Sequence, residues 1–142
     1  MIFISHRGNI NGPDISKENR PEQILNAIDE GFDVEVDVWF LGNNFYLGHD
    51  EGKYLIDKEF LHNSRLWCHA KNYTALEKMS HLNCHYYWHE DDKYTLTSKG
   101  YIWTYPGNKL INKEKSICVM PENNQKDIYN CAGICSDNIF FL

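Results

Sequence analysis

Residues 32–40 read Phe32-Asp33-Val34-Glu35-Val36-Asp37-Val38-Trp39-Phe40, and this stretch decides the fold. Val34, Val36 and Val38 alternate with Glu35 and Asp37, so three β-branched side chains share one face of a strand and two acids share the other. The two acids emerge about 6.6–7 Å apart along the backbone, close enough for both carboxylates to reach one cation. Oxygen ligands of this kind suit Mg²⁺ or Ca²⁺. An isolated Glu-x-Asp is more often the solvated face of an edge strand. Here the strength of the apolar face marks a core strand, whose acids point into a site.

Working outward, Ile2 to Ser5 is a short β-forming run that ends at His6-Arg7-Gly8, and a polar loop from Asn9 to Asn19 follows. Pro21-Glu22-Gln23 opens a helix carrying Ile24, Leu25, Ala27 and Ile28, with Gly31 at its stop. Beyond the decisive strand, Asn43-Asn44 turns the chain into Phe45-Tyr46-Leu47. This hairpin delivers Gly48-His49-Asp50 beside the acids. A short helix is expected over 54–62, a strand over 65–70, a helix over 73–82 and an aromatic strand over 85–89. Strands are further expected over 101–105, 116–120 and 133–136, with one helical turn near Asp127 to Tyr129.

Strand alternating with helix argues for an α/β fold with a parallel sheet, with polar residues gathered where strands end. A full eightfold barrel needs about 200–250 residues. The 142 residues here fit a shortened TIM-type (β/α) barrel of about seven strands, several helices reduced to loops, as a single domain over 1–142.

Hydrophobic content of 42% with 14% aromatic residues supplies a core and excludes a disordered chain. The formal charge of −6 argues against a nucleic-acid-binding face, which needs clustered Lys and Arg. No apolar run approaches the roughly 18 residues of a membrane span, and the amino terminus does not read as a signal peptide. A soluble, cytoplasmic protein without integral membrane association is expected. The five cysteines are scattered and odd in number, which favours reduced, apolar thiols over a disulfide framework.

His6 and His49 both stand at strand-to-loop boundaries. An imidazole with a pKa near 6.5 serves as either base or acid at neutral pH, so the two can share acid/base work across a phosphate.

The ordered set Ile4-Ser5-His6-Arg7-Gly8, Glu18-Asn19, Ala27-Ile28 with Gly31, Val34-Glu35-Val36-Asp37-Val38 and Gly48-His49-Asp50 resembles the signature of the glycerophosphodiester phosphodiesterases, in the PI-PLC-like superfamily. The likeness continues in outline through Trp67 to Asn72, Ile102-Trp103-Thr104 and Ile134-Cys135-Ser136-Asp137. The resemblance implies a TIM-type barrel that hydrolyses a small glycerol- or lipid-derived phosphodiester with a divalent cation. It implies Glu35 and Asp37 as metal ligands, His6 and His49 as the acid/base pair, Arg7 as a phosphate clamp and Lys71 as an offset for charge on the phosphate. Glu18 matches an acid that ligates the metal or orders Arg7. His69 stands where the family carries a third acid, and a nitrogen ligand there shifts preference toward Mn²⁺ or Zn²⁺. Glu90, one strand later, is the alternative third carboxylate. A cyclising phosphodiesterase resembling sphingomyelinase D, and a phosphate-binding module without turnover, are the competing readings. A separate zinc site at His81, Cys84, His85, His89 and Glu90 lacks any recognised ligand spacing.

Overall fold

The computed structural model describes residues 1–123 and 130–142, so the helical turn expected near Asp127 to Tyr129 lies outside the described residues. The decisive stretch forms β2 (Asp33–Leu41), the strand with the most neighbours in the sheet. Its first half pairs in parallel with β1 (Ile2–His6) and its second half pairs antiparallel with β3 (Asn44–Leu47). Val38 meets both Leu47 of β3 and Ala70 of β5 (Leu66–Ala70), so β1 and β3 occupy one edge of β2 in succession while β5 holds the other.

Between β1 and β2 runs α1 (Pro21–Asp29), with Pro at its first turn, where a missing N–H costs nothing, and Ile24 and Ala27 buried. Gly31 ends it at φ 99°, a conformation that favours glycine. The second helix, α2 (Tyr73–Met79), is capped by Asn72, whose side chain accepts from Ala75 N at 3.0 Å and also bonds the backbone of Phe40. Both helices cover the valine face of β2: Val34, Val36 and Val38 are fully buried against Ile24, Ala27, Ala75 and Met79. A second core of Ile4, Trp67, Tyr87, Trp103, Ile117 and Cys135 fills the concave side.

The remaining strands are β4 (Tyr54–Ile56), β6 (Tyr86–Trp88), β7 (Tyr94–Leu96), β8 (Ile102–Thr104), β9 (Ser116–Val119) and β10 (Gly133–Ser136). Seven strands run parallel in the order β6-β5-β2-β1-β10-β9-β8, while β3, β4 and β7 enter through antiparallel pairings.

The expected TIM-type (β/α) barrel of about seven strands is therefore corrected. The described residues form a ten-stranded, mixed, curled half-barrel sheet with only two α-helices. The physical reason is that strand and helix alternate only up to α2. From there the described connections are loops and one 3₁₀ turn at Pro121–Asn123, too short to cover the sheet with helices. The helix expected over 54–62 is corrected too: Tyr54–Ile56 adds to the free edge of β3, and only Lys58–His62 coils, as a 3₁₀ turn. The expected helix over 73–82 stops at Met79, and β7 is a strand the sequence did not announce. No helix among the described residues is long and apolar enough to cross a membrane.

Candidate active site

Register brings the site together. His6 lies opposite Glu35, Asp37 opposite His69, and His69 opposite Tyr87, so two adjacent rows on one face, one with His6 and Glu35 and the next with Asp37, His69 and Tyr87, cross β1, β2, β5 and β6. Glu35 and Asp37 are 2% and 1% exposed. His69 Nδ1 stands 3.2 Å from Asp37 Oδ1 and 3.8 Å from Glu35 Oε1, and ligand atoms of the three residues all lie within 4.8 Å of one another. Glu35 Oε2 and Asp37 Oδ1 are buried with no hydrogen-bond partner. Carboxylate oxygens left bare inside a protein are costly unless a cation satisfies them. Two such oxygens beside an imidazole fit a divalent metal, and the mixed N,O donor set suits Mn²⁺ or Zn²⁺ as well as the harder ions.

The two acids differ in character. Burial, reinforced by the neighbouring Asp37 charge, pushes the Glu35 carboxyl above its ordinary pKa. Burial opposes ionisation of Asp37 as well, but His69, Arg7 and Asn19 outweigh it and hold that carboxyl well below the usual range. Asn19 grips Asp37 twice: its amide donates to Oδ2 and its oxygen accepts from the backbone N–H, both at 2.9 Å. Asn19 and Arg7 both sit at left-handed φ, 62° and 56°, and Asn19 N–H bonds the Arg7 carbonyl at 3.0 Å. Non-glycine residues held this way are concentrated where geometry serves function.

His6 is steered by Asp137, whose Oδ1 lies 2.8 Å from Nδ1, leaving Nε2 facing Glu35 at 3.7 Å. Burial works against protonation, yet the Asp137 hydrogen bond and the Glu35 charge hold the His6 pKa above its ordinary value. Asn9 donates to both Asp137 and Glu18. Glu18 in turn accepts from Arg7 Nη1 at 3.1 Å, so it orders Arg7 rather than joining the metal trio. Arg7 Nε lies 3.2 Å from Asp37 Oδ2, which leaves less of its fork for a phosphate than the sequence suggested.

A cavity of about 360 Å³ opens over this floor, lined also by Lys71, His49, Glu90, His89, Tyr87 and Tyr105. Lys71 makes no ion pair among the described residues. Glu90 is exposed, and it lies outside the trio. His49 stands at the mouth, 42% exposed, with Nδ1 2.8 Å from Asp50. It also lines an adjoining pocket of about 220 Å³ with Arg7, Asn19, Lys53 and Tyr54.

No family model, curated protein or solved structure matches this chain. What can be said of its site therefore rests on the geometry.

The alternative zinc residues do not assemble. His81 is exposed and pairs with Glu77, His85 is buried on Thr97, and His89 belongs to the cavity. Sequence reasoning missed four contributors: Asn9, Asp137, Tyr87 and Tyr105. Asp137 carried a signal, an acid immediately after the final strand. The tyrosines carried none, since nothing in an aromatic strand says which ring faces a cavity.

Proposed function

We propose that this chain is a metal-dependent phosphoric diester hydrolase acting on a small phosphodiester, in the manner of the glycerophosphodiester phosphodiesterases that its first fifty residues resemble. The observation that carries the reading is the Glu35, Asp37 and His69 trio with its two unpartnered carboxylate oxygens, sharing one cavity with His6 and Lys71. A divalent cation held by the trio would polarise a phosphoryl oxygen and neutralise the acids.

The chain's own residues supply the rest. In the neutral form of His6, Asp137 favours the proton on Nδ1, so Nε2 is the lone pair that takes a proton from the attacking hydroxyl or water. His49, at the cavity mouth, returns a proton to the leaving oxygen, and the pocket beside it receives the departing alcohol. Lys71 lends positive charge to the phosphate, which is worth most in a water-poor cavity. Arg7 serves chiefly to bracket Asp37 and Glu18.

The test is release of p-nitrophenol from bis-(p-nitrophenyl) phosphate, and of choline from glycerophosphocholine, with Mn²⁺, Mg²⁺, Ca²⁺ or chelator. Metal-dependent turnover that His6→Ala and His49→Ala each abolish supports the assignment. Its absence on every substrate would leave a binding module.

A further inference from the structure

Two tyrosines that the proposed chemistry does not use line the same cavity. β6 and β8 end the run of parallel strands that has β1 and β2 near its middle, and the curl brings the Tyr87 and Trp103 rings to 5.0 Å. Tyr87 is 3% exposed, stacks on His69 at 5.2 Å with 7° between planes, and lines the cavity. Tyr105, at the end of β8, lies flat against His89 at 3.6 Å and 17°. Neither hydroxyl has a hydrogen-bond partner among the described residues, and neither oxygen is among the fully buried atoms that lack one, so both are open to the cavity. Both residues line the cavity together with Glu35, Asp37 and His69. A phenol carries its proton at neutral pH, so both are donors.

Resting on the reading of the cavity as a phosphoryl site, we propose that the Tyr87 and Tyr105 hydroxyls bind substrate directly, donating hydrogen bonds to non-bridging phosphoryl oxygens in the cavity that Lys71 also lines. A tetrahedral group with several acceptor oxygens is the ligand that satisfies two phenol donors and the Lys71 ammonium lining one cavity. Neutral donors also add no further charge to a cavity already lined by two cations and meant for a third. The stacked rings fix where the hydroxyls lie before substrate arrives.

The experiment is calorimetric titration of inorganic phosphate into Mn²⁺-loaded wild-type protein and into Tyr87→Phe, Tyr105→Phe and the double variant, with Mn²⁺ affinity and thermal midpoints measured in parallel. Each single variant is expected to weaken phosphate about tenfold, the usual loss for a hydrogen bond to a charged acceptor. Mn²⁺ affinity should stay unchanged, and the thermal midpoint should hold or rise, because Phe removes an unpartnered hydroxyl. If wild type binds phosphate and the double variant binds it equally well, the tyrosine assignment is overturned while the phosphoryl reading stands. If wild type binds no phosphate with metal present, both fall.

Discussion

The His69 imidazole nitrogen stands 3.2 Å from an Asp37 carboxylate oxygen that no hydrogen bond satisfies. On the proposed metal reading, a nitrogen donor in that place sets which cation the trio prefers. We expect Mn²⁺ or Zn²⁺ to protect the fold against heat at lower concentration than Mg²⁺ or Ca²⁺, by about 2.7 kcal/mol once the ion reaches a hundred times its Kd. His69→Glu should reverse the order in a thermal-shift titration. Equal protection by all four ions in both proteins would remove His69 from the metal site.

Asp137 governs His6 from a distance of 2.8 Å. Asp137→Ala should lower kcat on a model diester by roughly 10²-fold, the lower range for losing a positioned acid or base, while leaving KM and Mn²⁺ affinity near wild type. A variant with full turnover would show that His6 needs no such partner.

His85 offers a pH test away from the candidate metal trio. It is buried on Thr97 at 2.7 Å and against the Trp67 ring, and burial, with help from Lys99, lowers its pKa from 6.5 to about 4. A folded pKa below the unfolded one means that protonation favours unfolding. This contribution is complete above pH 6.5 and is lost as pH falls through 4, a change on the order of 3 kcal/mol. Denaturant titrations between pH 7 and 4 should show this loss, and His85→Gln should flatten it.

Gly48 sets the position of His49. It holds φ 154°, its carbonyl accepts from Trp39 Nε1 at 2.6 Å, and a Cβ there would collide with the Glu51 carbonyl oxygen. Gly48→Ala should cost about 1–3 kcal/mol of stability and lower turnover, measured by urea unfolding and diester hydrolysis. An unperturbed variant would mean that the turn relaxes freely.

The alternation of Val34, Val36 and Val38 with Glu35 and Asp37 was legible because a period of two is local, and the structure puts the valines under the helices and the acids on the cavity floor. The hairpin and both helices were legible because their patterns are local too, although α2 stops at Met79. The fold class was not, because two strand–helix units were extended to a second half in which the described crossovers are loops. Tyr54–Ile56 misread as helix because Leu55, Ile56, Phe60 and Leu61 suit either period, and the free edge of β3 decided it. Within the site, residues read from one segment, such as Glu35 with Asp37, fared better than partners joined by topology. Glu18 was placed between two roles that only its 3.1 Å contact with Arg7 separates. Asp137 and Tyr105 act on strands far away in sequence, and no local pattern encodes that.

The bond between His6 and Asp137 joins residues 131 positions apart. On a ribosome Glu35, Asp37 and His69 can come together once β5 has emerged and paired with β2, since the three span residues 35 to 69. His6 cannot be held by Asp137 until β10 has been made and has paired with β1. On the proposed function, synthesis thus passes through an interval in which the cation trio stands and the base is not yet held, because Asp137 is made long after His69.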